Sequence, residues 1–172
     1  NRLCVMDLAT GERKYITEKP NGEEKAIFDS NVDSYCWAPD SKSLYFTGTW
    51  HGTTQVYNIT TDSKLTKMTE GMHDYNSVAM LGENSLIMTR VSMSAPADIY
   101  AMEAKAGAEV KQLTQENKHI LDQIAIGKVE ARWCKSVDGK DLHSWVAYPP
   151  HFDPAKKYPT RLLGEGGPQS PV

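Results

Sequence analysis

Short runs of alternating apolar and polar residues, punctuated by turn residues, fill the first two thirds of the chain. Residues 3–8 read as a strand, Thr10-Gly11 as a turn and residues 13–17 as the returning strand. Residues 34–37 form the next strand, and Ala38-Pro39-Asp40-Ser41 a tight turn, in which Pro39 presets φ and Asp40 can bond its own backbone. Residues 43–49 follow, with Leu44 and Phe46 alternating against Tyr45 and Thr47, then residues 55–60 and 65–69.

The pattern repeats. Gln55-Val56-Tyr57-Asn58-Ile59, a turn and residues 64–69 recur as Asp98-Ile99-Tyr100-Ala101-Met102, a turn and residues 110–114. Residues 3–8 and 15–17 are an earlier copy. Ile59 and Met102 are 43 residues apart, and Leu8 and Ile59 are 51 apart. A repeat of this length carrying four short strands predicts β-propeller blades, with residues 77–81 and 85–91 as the first two strands of the second full copy. Residues 101–113 are rich in Ala, Glu, Lys and Met, which favour helix. The repeat predicts strand, turn, strand there instead, with Gly107 in the turn.

Beyond residue 116 the pattern changes. Ile120, Leu121 and Ile124 suit one or two helical turns after Asn117, and Gly127 ends the segment. A domain boundary is expected here, with blades over residues 1–126 and a second, incomplete domain over residues 127–172. Residues 129–137 and 142–148 predict a hairpin around Asp138-Gly139, a pair suited to a turn with two positive φ values. Arg161-Leu162-Leu163 reads as a buried strand running into Gly164-Glu165-Gly166-Gly167-Pro168.

Composition changes this picture little. Apolar residues are 40% and charged residues 24% of 172, as in ordinary folded domains, and the net charge is −3. No basic block points to nucleic acid, and no apolar run is long enough for a membrane-spanning helix. Cys4, Cys36 and Cys134 are without CxxC spacing and are expected as small buried hydrophobes in strands. The chain opens at Asn1 inside a strand pattern and closes at Val172 just past a Gly-Gly-Pro turn, as expected of an excerpt from a longer protein.

Two motifs carry a family resemblance. Trp37-Ala38-Pro39-Asp40-Ser41-Lys42-Ser43-Leu44-Tyr45-Phe46 resembles the W-S-P-D-G-K-x-L-x-F segment of propellers in the TolB-like and prolyl-oligopeptidase groups. Residues 148–159 and then Gly166-Gly167-Pro168-Gln169-Ser170 resemble the entry into the catalytic domain of prolyl-oligopeptidase-family serine peptidases, nearest to bacterial dipeptidyl-peptidase and acylaminoacyl-peptidase-like members. The resemblance implies an all-β propeller end of four-stranded antiparallel blades, then the first strands of an α/β-hydrolase domain. It implies a peptide substrate and a propeller that gates access to the site. For Gram-negative relatives it suggests the periplasm.

No Gly-x-Ser-x-Gly occurs in the chain, and in the hydrolase order nucleophile, acid and histidine all follow this tail. No catalytic triad residue is therefore assigned, and the chain alone is expected to be inactive. Glu165, Gly166 and Gly167 form a candidate oxyanion-region loop. Relatives carry Tyr or His at the Glu165 position, and an ionised carboxylate there would repel an oxyanion, so backbone donors around the two glycines are the better contributors. Glu23-Glu24 resembles an amine-binding carboxylate pair but lacks the aromatic flanks of the family motif, and reads as a solvated loop.

His51, His73, His119, His143 and His151 show neither HExxH nor paired Cys/His spacing, so no metal site is predicted. Residues 164–167 are not a phosphate-binding loop, and no cofactor is predicted. Trp50-His51-Gly52-Thr53 and His73-Asp74-Tyr75 read as ordinary blade loops, with a place along the propeller channel as the alternative. The rival function is a TolB- or WD-repeat-type binding propeller without catalysis. It accounts for residues 1–126 but not for the hairpin or the Gly-Gly-Pro tail. Open blade edges predict association with the rest of the parent chain or with further copies.

Overall fold

The computed structural model describes residues 3–17, Phe28 and residues 32–164. Strands β1 (Cys4–Met6) and β2 (Arg13–Tyr15) form a hairpin. β3 (Tyr35–Trp37), β4 (Ser43–Trp50), β5 (Thr53–Thr60) and β6 (Leu65–Lys67) form one antiparallel four-stranded meander. β7 (Asp74–Leu81), β8 (Ser85–Ser92), β9 (Ala95–Glu103) and β10 (Lys111–Gln112) form a second. These are two full propeller blades, preceded by a hairpin that corresponds to the outer half of another.

The alternation along β4 sorts its side chains between two neighbours. Leu44 and Phe46 join Leu3, Ile16, Phe28, Tyr57 and Ile59 in a core facing the first hairpin. Tyr45 joins Val56, Tyr75, Val78, Leu86 and Met88 in a core shared with the next blade. Both faces of the central strands are therefore buried, and Phe46, Val56 and Ile59 have no exposed surface. Phe28 sits edge-on to Phe46 and Tyr57, with centroids 5.4 and 4.8 Å apart.

One hydrogen-bond device explains the sequence repeat. Val56 N–H donates to Thr69 Oγ1 at 2.9 Å, Ile99 N–H to Thr114 Oγ1 at 2.9 Å, and Leu3 N–H to Thr17 Oγ1 at 3.0 Å. In each case the residue before the threonine also bonds the same strand through its backbone: Met68 to Val56, Leu113 to Ile99 and Ile16 to Leu3. The threonine thus extends the outer strand's pairing beyond its last ladder residue and satisfies a strand N–H that would otherwise lack a partner. Residues 101–113 follow the repeat and not their helix propensity: β9 ends at Glu103, Gly107 turns the chain at φ 71°, and β10 returns.

The segment after the blades departs from expectation in several places. The helix, α1 (Lys118–Leu121), has the one turn expected after Asn117, but the Asn117 side chain makes no capping bond. Ile120 and Ile124 are half exposed, so no packed apolar face extends it. β11 (Val129–Lys135) and β12 (Asp141–Ala147) form the expected hairpin. Its turn differs: Gly139 N–H bonds Ser136 O at 3.0 Å, and Gly139 is at φ 80° while Asp138 is not left-handed. This is a three-residue loop in which glycine alone takes the left-handed position. The turn with two positive φ values lies instead between β4 and β5, at His51 (54°) and Gly52 (77°).

Residues 161–164 form no strand, and Leu162 and Leu163 are exposed, because no described strand pairs with them. The cysteines lie in β1, β3 and β11 as expected, but Cys4 and Cys134 are exposed and Cys36 is half-buried. Cys36 packs against the core shared with the next blade, whereas Cys4 and Cys134 lie on short or outlying strands and stay exposed.

Candidate functional site

The tips of the β4–β5 and β8–β9 hairpins and the connection from β6 to β7 lie together on one face of the blades. The β11–β12 hairpin meets the same face. Between them is a cavity of about 330 Å³, lined among others by Met72, His73, Asp74, Met93 and Trp145. A larger hollow of about 580 Å³ lies under the 104–110 turn on the flank of the last blade, but its Ala, Lys and Glu lining assembles no chemistry.

A buried amide fixes part of the lining of the smaller cavity. Gln55 is almost wholly enclosed; its Nε2 donates to His73 O at 2.7 Å and Gly71 O at 3.2 Å, and its Oε1 accepts from Thr69 Oγ1 at 2.9 Å. Thr54 N–H donates to Asp74 Oδ1 at 2.6 Å. One strand of a blade is thereby fixed to the chain entering the next. Burial pushes the Asp74 carboxyl up, opposed by the Thr54 N–H. Burial pulls the His73 imidazole down, helped by the Arg90 charge, and His73 Nε2 is buried without a hydrogen-bond partner among the described residues. A proton there would lack an acceptor, so the neutral ring is favoured.

Beside the cavity runs a ladder of rings. Trp50 stacks on His51 (4.5 Å), His51 meets Trp133 (5.3 Å), Trp133 meets His143 (4.6 Å), and His143 meets Trp145 (4.9 Å). Trp133 and His143 are direct cross-strand partners, and Trp145 lies two residues further along the same face. Gly52 is the seat of His143: a Cβ at Gly52 would lie 2.6 Å from His143 Cε1. The opposite face of the hairpin holds a polar cluster. Glu130 pairs with Lys128 and with Arg132 (2.7 Å), and accepts from the Tyr148 hydroxyl at 3.0 Å. Those bonds, first from Lys128 and then from Tyr148, hold the Glu130 carboxyl down at about 2.

The residues read as ordinary loops, 50–53 and 73–75, are thus brought to one shared face. Trp133, His143, Trp145 and Gln55 were not singled out in the sequence, although the alternation of 143 with 145 and the pairing of 133 with 143 across the turn could have placed three of the rings together. Glu165, Gly166 and Gly167, like Glu23 and Glu24, lie outside the described residues. No group of three or more His, Cys, Asp or Glu among the described residues is arranged to hold a metal.

Blades of a β-propeller, followed by a hairpin lying against their face, are the class this architecture defines. No family model matches the chain. It is 40% identical over 99% of its length to dipeptidyl-peptidase 5 of Porphyromonas gingivalis, of which it covers 24%. Its fold matches an acylaminoacyl peptidase solved in complex with Z-Gly-Gly-Phe-chloromethyl ketone, with TM-score 0.65 and 21% identity, over 87% of this chain and 21% of that one. A TolB-like protein of Agrobacterium tumefaciens matches with TM-score 0.54 and 15% identity, over 66% of this chain and 40% of that one. The chain thus spans about a quarter of the length of the curated relative. The likeness to dipeptidyl-peptidase 5 over 99% of this chain agrees with the prolyl-oligopeptidase resemblance carried by its own motifs.

Proposed function

We propose that the chain is the passage from propeller to catalytic domain in a serine peptidase that cleaves short peptides, as a dipeptidyl or oligopeptidyl peptidase. The observation that carries this reading is the 40% identity to a dipeptidyl-peptidase 5 across both the blades and the hairpin. Residues 1–126 supply the last blades, which gate access, and residues 127–172 begin the hydrolase domain. Two features support that boundary. The last blade strand ends at Gln112, and a separate ladder begins past Gly127, where Tyr148 N–H bonds Lys128 O at 2.9 Å.

The nucleophile, acid and histidine are contributed by sequence outside this chain, which is catalytically silent alone. The loop at Glu165, Gly166 and Gly167 borders the oxyanion region, with backbone N–H groups as donors. A peptide substrate also suits the peptide-derived chloromethyl ketone found in the acylaminoacyl peptidase neighbour.

The test uses the whole protein and fluorogenic amides of dipeptides, with free and with acetylated amino termini, together with a fluorophosphonate probe for an activated serine. Cleavage of the free-amine series and labelling of one serine are expected. Neither cleavage nor labelling in a folded protein would overturn the reading in favour of a binding propeller.

A further inference from the structure

The described contact between the β11–β12 hairpin and the blades includes an unusual seat. Gly52, at the apex of the β4–β5 turn, has no side chain where the His143 ring lies, and no other residue type fits there at φ 77° without moving that ring. His51 and Trp50 on the blade side and Trp133 and Trp145 on the hairpin side extend the contact as a run of rings. The joint is shallow: Trp50 is 44% and Trp133 50% exposed. Little buried area therefore resists its opening.

We propose that this Trp–His joint is an acid-released latch between the propeller and the hairpin, closed while His143 is neutral and opened when it takes a proton. The inference stands apart from the peptidase reading and needs no catalytic activity.

The groups facing His143 are as follows. From the β4–β5 tip comes His51, whose charge would oppose a second one. From β11 come Trp133, directly opposite, and Lys135 on the same face. From its own strand come Trp145 and Asp141, and the Asp141 carboxylate is already engaged by Lys135 Nζ at 2.7 Å. A new positive charge thus meets one titratable ring, one lysine and one carboxylate that is already paired. Burial first, and His51 second, pull the His143 imidazole below its ordinary 6.5. The open hairpin binds the proton more readily than the closed one. Latch stability is therefore complete above about pH 6.5 and is lost as pH falls below it.

The experiment is hydrogen exchange by mass spectrometry on the whole protein, from about pH 8 to about pH 5, where histidine is the side chain that ordinarily titrates. Protection factors of segments 50–54 and 141–147 are expected to fall together, by at least about threefold. His143→Phe keeps an uncharged ring and should hold protection level across the range. His51→Asn keeps a residue that tolerates the left-handed turn and removes the opposing charge, so the fall in protection with acid should shrink. Protection that is flat with pH in the parent protein would overturn the proposal, as would an unchanged transition in His143→Phe. Should His143→Phe fail to fold, an undiminished fall in protection in His51→Asn overturns it equally.

Discussion

The β3–β6 blade and the β11–β12 hairpin are both antiparallel ladders, but they hold their shape by different means. In the blade, Leu44, Phe46, Val56, Tyr57 and Ile59 are buried against two neighbours at once. In the hairpin no residue is fully buried, and Trp133 and Leu142 are half exposed. A blade is thus specified by what lies on either side of it, as in any stacked repeat. The hairpin is specified locally, by its Gly139 turn, its cross-strand Trp133–His143 pair and the Glu130 cluster. Stability in the two regions should respond to different perturbations.

The largest expected effect is on the blade. Phe46→Ala removes a ring with no exposed surface, packed against Phe28 and Tyr57. A loss of about 3–5 kcal/mol is expected for such a deletion. Hydrogen exchange should show β4 and β5 losing protection with the first hairpin while residues 129–147 are little changed. Equal loss in the hairpin would mean that the two regions unfold as one unit.

Next is the repeated threonine. Thr69→Val keeps the shape but removes the acceptor for Val56 N–H and the donor to Gln55 Oε1, both enclosed. Leaving those groups unpaired should cost about 1–3 kcal/mol. Thr114→Val should cost less: its bond to Ile99 N–H is exposed, and Asp98, which loses Thr114 Oγ1 as a donor, keeps Gln112 Nε2 and Glu116 N–H. Urea midpoints of the two variants, compared side by side, check the order. A reversed order would show that burial does not set the worth of the repeat device.

That device also shows what the sequence carried. The recurrence of a strand residue with a later threonine was visible as a blade repeat, because each blade must make the same closing bond. The two-sided burial of β4 was legible as alternation, although not which face meets which blade. The site was much less legible. The Gln55 network depends on carbonyls of Gly71 and His73, which any residue could supply, and the ring ladder joins positions 50–51 to 133–145 across a distance in sequence that no local pattern encodes. The misjudged turn has a similar cause. Asp138-Gly139 suits a turn with two positive φ values, but the Ser136–Lys140 pairing set a three-residue loop, which needs only Gly139 to be left-handed.

A smaller effect, of opposite sign, is expected at the blade's first turn. Ser41 stands where the resembling motif has glycine, and it sits at φ 56°. Ser41 N–H bonds Ala38 O at 2.9 Å, and Asp40 Oδ1 accepts from Lys42 N–H at 2.9 Å, so the turn is fixed without the serine hydroxyl. Ser41→Gly relieves the left-handed strain but loosens the unfolded chain. A net gain of up to about 1 kcal/mol should remain, seen as a small rise in the melting temperature. A fall would mean that unfolded-state entropy outweighs the strain.

The smallest effect belongs to the hairpin and is the sharpest test of its local character. Glu130 is held down at about 2 by Lys128 and Tyr148, below its ordinary 4.5. Its contribution is therefore complete above pH 4.5 and fades as pH falls toward about 2. The pairs are exposed, and salt should weaken them further. Glu130→Gln should remove this acid dependence while leaving the transition at His143 in place, because the two groups lie on opposite faces of the hairpin and titrate in separate windows. Exchange rates of residues 128–132 and 144–148 between about pH 5 and about pH 3, with and without added salt, measure it. An acid response that persists in Glu130→Gln would place the sensitivity elsewhere, and the hairpin would then depend on the blades more than its exposed faces indicate.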